Sequence, residues 1–211
     1  VFSRSYIESN TIEIGELRTV SQSIDGEGAT SVNAEINLGF GEMTIRGGAD
    51  ELLELELTSN VADIHPVVTY QVEDGTGDLH LGMSDPLGIP DPTRIDEYLY
   101  QWDVRLTDHT PLNLHINLGS GMGEFDLSGL TLTGLEVNVG AGKATIDLSG
   151  EWQQAFDAKV NGGAVKGARV ERPEQVHEQL VGGRKIRLRV GQRLFGLVHQ
   201  FFRFWYTLHL I

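Results

Sequence analysis

One short pattern returns along this chain and constrains its fold more than any other feature. Ile36-Asn37-Leu38-Gly39-Phe40-Gly41 reappears as Ile116-Asn117-Leu118-Gly119-Ser120-Gly121 and again as Val137-Asn138-Val139-Gly140-Ala141-Gly142. A reduced copy stands at Val160-Asn161-Gly162-Gly163. The last three copies start 21 and then 23 residues apart. Around them apolar and polar residues alternate with a period near two, which predicts strands and no strong helix over residues 30–165. Glycine adopts φ > 0 without strain, so Gly-x-Gly between alternating segments reads as a corner or bulge. Each period then holds two or three short strands, such as Phe125-Asp126-Leu127 and Leu130-Thr131-Leu132-Thr133. Repeats of this length stack, and inward side chains share one apolar core. The inward set is Leu118, Phe125, Leu127, Leu130, Leu132, Leu135, Val137, Val139, Ile146 and Leu148. The fold class is therefore all-β and β-solenoid-like, with Gly-rich corners. A β-sandwich with Gly-rich hairpins is the alternative.

Between the first and second copies the alternation continues at Leu52–Leu57. Val67–Val72 and Asp78–Gly82 flank Glu73-Asp74-Gly75-Thr76-Gly77, which predicts a hairpin. Residues 84–97 carry Pro86, Pro90 and Pro92 and read as a loop, and Leu99–Leu106 reads as a strand.

Charge divides the 211 residues in two. Residues 1–160 hold 27 Asp+Glu and 7 Lys+Arg, a net of -20, whereas residues 161–211 hold 3 and 9, a net of +6. Six of the sixteen aromatics lie between Phe195 and Ile211. Such a shift marks a boundary near Gly162. The division is a lead-in at 1–24, a β domain at 25–163 and a divergent basic, aromatic tail at 164–211. Lys185–Val190 alternates well enough for one basic strand, and residues 194–211 read as a loosely packed segment or short helix. The overall charge of -14 disfavours nucleic acid as the partner. The absence of Cys excludes disulfides, thiolate metal sites and cysteine nucleophiles. No apolar run reaches the roughly 18 residues of a membrane span. Val1 at the start implies a removed leader or anchor, or a beginning within a longer protein.

No constellation spells out a reaction. Glu54 and Glu56 alternate with leucines, as solvated outer residues do. Asp126 and Asp147 occupy equivalent places on successive repeats, so their side chains are expected to be neighbours. A calcium repeat needs G-G-x-G-x-D every nine residues, which Gly121–Asp126 does not supply. His65, His80, His109, His115, His177, His199 and His209 are scattered without zinc spacing. Ser120 lacks the full G-x-S-x-G of a nucleophile elbow. The Gly-x-Gly pairs precede no helix, so they are not dinucleotide loops. Catalytic, cofactor-binding and metal sites are each expected to be none, with no cofactor.

Taken with the glycine repeat, several runs resemble the bacterial toast-rack domain of LiaF-like cell-wall-active-antibiotic response proteins and related adhesins. They are Ala34–Gly41, Gly47–Leu53, Pro66–Tyr70, Trp102–Leu106, Pro111–Leu114, Gly119–Gly123, Asp126–Leu130 and Val137–Thr145. The resemblance implies a non-catalytic domain of the cell envelope, on the extracytoplasmic face or tethered to the membrane. It implies partners among envelope or membrane proteins, in adhesion or envelope-stress regulation. A carbohydrate-active β-solenoid enzyme built on Asp126 and Asp147 is the alternative function. After Gly163 the chain departs from the family pattern, which reads as a lost reading frame or as a genuine tail whose residues 194–211 contact a membrane.

Overall fold

The computed structural model describes residues 12–84, 92–149, 156–171, 176–180 and 185–190. Over these the strands are β1 (Ile14–Ile24), β2 (Ser31–Arg46), β3 (Leu53–Val61), β4 (Pro66–Glu73), β5 (Thr76–Met83), β6 (Tyr100–Leu106), β7 (Leu112–Asp126), β8 (Leu132–Asp147), β9 (Phe156–Glu171), β10 (Val176–Leu180) and β11 (Lys185–Val190). A 3-10 helix spans Pro92–Glu97.

The four repeat copies lie in β2, β7, β8 and β9, which run parallel and side by side. Ile36 lies beside Ile116, Ile116 beside Val137 and Val137 beside Val160. Gly41, Gly121 and Gly142 form one row, so the expected equivalence of the corners holds. One expectation needs correction. The segments flanking each Gly-x-Gly are not separate short strands, because β2, β7 and β8 are each a single strand of 15 or 16 residues bent at the glycines.

Chain length requires that bend. Residues 127–131 alone carry the chain from the end of β7 to the start of β8. Five residues reach at most about 18 Å, whereas fifteen in a straight strand cover about 50 Å. The two arms of β7 must therefore fold towards each other. Burial shows how both arms face one core. In β2 the buried residues are Val32, Ala34, Ile36 and Leu38 before the corner, then Met43 and Ile45 after it. A straight strand keeps one parity per face and would turn Met43 and Ile45 outward. The corner glycines, at φ 124° in Gly41, 125° in Gly121 and 141° in Gly142, slip the phase by one residue in the manner of a bulge.

Each coil is thus a first arm, a glycine corner, a second arm and a turn. β2 divides the sheet into two leaves. Its first arm pairs with β5, and its second arm pairs with β6 on the same edge. The first leaf comprises β4, β5, the first arms of the repeats, β11 and β10; the second comprises β1, β3, β6 and the second arms. The ten residues expected to point inward are all buried between the leaves. Leu127 and Leu130, from the turn after β7, plug the open side of the coil.

The hairpin β4–β5 turns at Asp74-Gly75, with φ 50° and 78°, as a type I′ turn requires. β1 lies within the segment read as a lead-in and pairs with β3. β9 passes through residue 164, where the tail was drawn, and stays beside β8 as far as Glu171. Backbone pairing continues there although the Gly-x-Gly motif has gone, with a register slip taking the place of the corner. The basic strand expected at Lys185–Val190 is β11, antiparallel to the first arm of β9, and β10 adds to it. Residues 194–211 lie outside the described residues.

Candidate functional site

The polar chemistry of this chain sits on the outer faces of the two leaves, where in-register strands turn each repeat position into a row. On the first leaf, successive strands place His80, Glu35, His115, Glu136 and Lys159 side by side. His80 Nδ1 lies 3.2 Å from Glu35 Oε2. Lys159 Nζ donates to Glu136 Oε1 at 2.7 Å. That hydrogen bond, with smaller help from the charges of Lys159 and His115 and a bond from Asn138, holds the Glu136 carboxyl below the usual glutamate range against the opposing effect of burial.

The next row is a ladder of the repeat asparagines. Asn117 Nδ2 donates to Asn37 Oδ1 at 2.6 Å, Asn138 to Asn117 at 2.7 Å and Asn161 to Asn138 at 2.6 Å. All donors point the same way. At the donor end Asn37 Nδ2 donates to the Glu35 carboxylate at 3.0 Å. At the other end Asn161 Oδ1 is buried with no hydrogen-bond partner among the described residues. A shorter row joins Asn113 to Asn33 at 3.2 Å and Asn33 to Asp78 at 2.9 Å. The signal for the ladder was in the sequence, since every copy of the repeat carries Asn at the same place.

The second leaf is also paired across strands. Arg46 bridges to Asp103 at 2.6 Å and Arg105 to Glu54 at 3.3 Å, while Gln101 donates to Glu42 at 3.1 Å. A shallow depression of about 270 Å³ lies over β1, β3 and β6, lined by Ser21, Ser23, Glu54, Glu56, Asp103 and Arg105.

Asp126 and Asp147 are register neighbours, as expected. Each carboxylate serves its own turn. Asp126 Oδ1 accepts from Ser128 N at 3.2 Å and Ser128 Oγ at 2.6 Å, and Asp147 Oδ1 accepts from Ser149 N at 2.8 Å. These are Asx turns, marked by the repeated Asp-Leu-Ser-Gly at 126–129 and 147–150. Glu54 holds Arg105 and the Asp50 amide, and Glu56 lies opposite Asp103. His80 and His115 share the row described above. His65 and His109 lie elsewhere, His177 is placed in β10 through its backbone, and His199 and His209 lie outside the described residues. Ser120 stands at a corner between Phe40 and Ala141. Among the described residues no group of three His, Asp or Glu could hold a metal ion, and no helix is long and apolar enough to cross a membrane.

This geometry has a known counterpart in fold. A putative cell adhesion protein from Clostridium sporogenes ATCC 15579 superposes with a TM-score of 0.70 at 21% identity, over 82% of this chain and 87% of that one. A putative adhesin from Parabacteroides distasonis ATCC 8503 aligns at a TM-score of 0.37 and 14% identity, over 74% of this chain and 67% of that one. Another from Bacteroides fragilis NCTC 9343 aligns at 0.33 and 14%, over 74% and 73%. The first likeness is one of fold, and the other two are too distant to carry an argument. No curated protein matches the chain. Residues 13–168 match the family described as the N-terminal domain of toast_rack, DUF2154. The stacked, glycine-cornered coil and this match over most of its length place the chain in the toast_rack N-terminal domain family.

Proposed function

We propose that this chain is a non-catalytic, extracytoplasmic domain of the cell envelope that binds proteins in an adhesin-like manner. One observation carries the reading. Among the described residues many polar side chains of both leaves pair with each other in cross-strand rows, and they form broad outer faces with a shallow depression over β1, β3 and β6. Flat, polar surfaces of this kind suit protein contact, where area and complementarity matter more than concavity. The partners are envelope or membrane proteins, with adhesion or envelope-stress regulation as the role. Residues 194–211, rich in aromatics, add a membrane contact.

The enzyme alternative rested on Asp126 and Asp147, whose carboxylates are engaged in their own turns. A direct test compares the chain with a Glu136→Lys, Lys159→Glu exchange and with Asp126→Asn, Asp147→Asn. Immobilised chain is probed with purified surface proteins and with envelope polysaccharides, while reducing ends are assayed. Saturable protein binding that the exchange abolishes, at an unchanged melting temperature, is the expected result. Polysaccharide turnover that requires Asp126 and Asp147 overturns the proposal. Sedimentation with anionic vesicles, comparing the full chain with residues 1–193, tests the membrane contact: equal binding by both removes it.

A further inference from the structure

Strand β1 is the edge of the second leaf. One side pairs with β3, without a slip from Arg18 opposite Ser59 to Ile24 opposite Leu53. Among the described residues no strand pairs with its other side. A sheet edge presents N–H and C=O groups ready to pair, and proteins commonly protect it with Lys, Pro or a bulge. Thr19-Val20-Ser21-Gln22-Ser23-Ile24 has no charge, no proline and no slip. The long edge of the first leaf, β4, differs, because it begins at Pro66 and ends at Glu73. β1 is also exposed along its outer face and only partly covered on the other, where Ile24 packs against the core. Thr19, Ser21 and Ser23 are exposed on the outer one, and Val20, on the core-facing side opposite Leu57, remains 39% exposed.

We propose that β1 pairs antiparallel with β1 of a second copy, about a two-fold axis at Ser21, joining two second leaves into one continuous sheet. The occupant follows from the sequence of the strand. With Ser21 on the axis, Thr19 faces Ser23 of the second copy, Ser21 faces Ser21, and Ser23 faces Thr19. Every pair on the outer face joins two hydroxyls, the same chemistry that links Thr19 Oγ1 to Thr58 Oγ1 at 2.9 Å inside one chain. On the other face Val20 meets Gln22 and the stem of Arg18 meets Ile24. No like charges meet, and each contact occurs twice, as an isologous interface requires. Thr19–Ile24 itself offers a strongly charged foreign strand no counter-charge.

The net charge of -14 on each copy opposes the approach from a distance. Salt screens that repulsion without touching the neutral edge, so association strengthens as salt rises. Docking through opposite charges has the reverse dependence. The proposal is independent of the adhesin-like reading, since it concerns contacts between copies only.

The experiment is sedimentation equilibrium of the full chain between about 0.01 M and about 1 M salt, over which the Debye length falls from about 30 Å to about 3 Å. A monomer–dimer equilibrium that shifts towards dimer with salt is expected. Ser21→Lys sets two ammonium groups opposite each other on the axis, and is expected to weaken the dimer by at least about tenfold at an unchanged melting temperature. Because the chain has no Cys, Ser21→Cys provides a single reporter. Mild oxidation is expected to give a disulfide-linked dimer, whereas Thr145→Cys, on β8 away from this edge, gives none. A monomer at every salt concentration with no linkage through Ser21→Cys overturns the proposal. So does a dimer that Ser21→Lys leaves intact.

Discussion

Replacing Gly121 by alanine tests whether the corner glycines hold the coil together. Gly121 has φ 125°, a conformation that costs an L-residue about 1–3 kcal/mol. Its added Cβ would also collide with the Gly41 carbonyl oxygen, and would lie 2.9 Å from the carbonyl carbon and 3.1 Å from the nitrogen of Gly41. The obstacle is backbone in the adjacent coil, so relief requires β2 and β7 to separate. Each corner hydrogen bond lost in that way costs about 0.5–1.5 kcal/mol more. With two such bonds lost the total is about 2–6 kcal/mol, a large part of the roughly 5–15 kcal/mol that holds a domain folded. Gly39→Ala is the internal control. Among the described residues no atom lies within 4 Å of its Cβ position, and its φ is not positive, so that change is neutral or stabilises by about 0.5 kcal/mol through the unfolded chain. Urea unfolding measures both. In thermal unfolding the Gly121 variant should melt about 4–24 °C below the parent, at roughly 2–4 °C per kcal/mol for a chain of this size. A Gly121→Ala protein as stable as the parent, or a Gly39→Ala protein equally weakened, would falsify the account of the corner.

Three further outcomes follow from the rows. Asn138→Ala removes the middle of the ladder and leaves Asn117 Oδ1 and Asn161 Nδ2 short of partners, so urea unfolding should show a loss of about 1–3 kcal/mol. Glu136 is held below its ordinary pKa, so its stabilising contribution is complete above the unfolded-state glutamate value and fades as pH falls through the folded-state value. Lys159→Met should flatten that acid limb in a stability–pH series, and an unchanged acid limb would show that the Lys159 hydrogen bond is not its source. Asp126→Ala removes an Asx turn on a plug residue's flank and should cost about 0.5–2 kcal/mol, read by thermal melting, whereas Asp126→Asn retains the acceptor and should lose less.

Much of this architecture was legible in the order of residues, because it depends on local rules. Period-two alternation marked the strands and all ten interior positions from Leu118 to Leu148. Asp74-Gly75 marked a type I′ hairpin, since both residues must take positive φ. The repeated Gly-x-Gly marked corners that stack. Asp126 and Asp147 were rightly placed as neighbours, but not as turn formers, although Ser128 and Ser149 stood two residues beyond them. What the sequence could not decide was everything set by pairing between distant backbones. β2 lies against β7 across 80 residues, and its free edge is shared between β5 and β6. No local pattern encodes that choice, which is made by burial on both faces of the corner at once. The same holds for the one-residue change of phase at each corner. Alternation within either arm is regular, and only the closing of two arms over one core shows that Leu38 and Met43 must point the same way. β9 makes the point from the other direction. Its side-chain pattern fades after Gly163, yet the strand continues to Glu171, because ladder hydrogen bonds come from the backbone and a preformed neighbour in β8 supplies them.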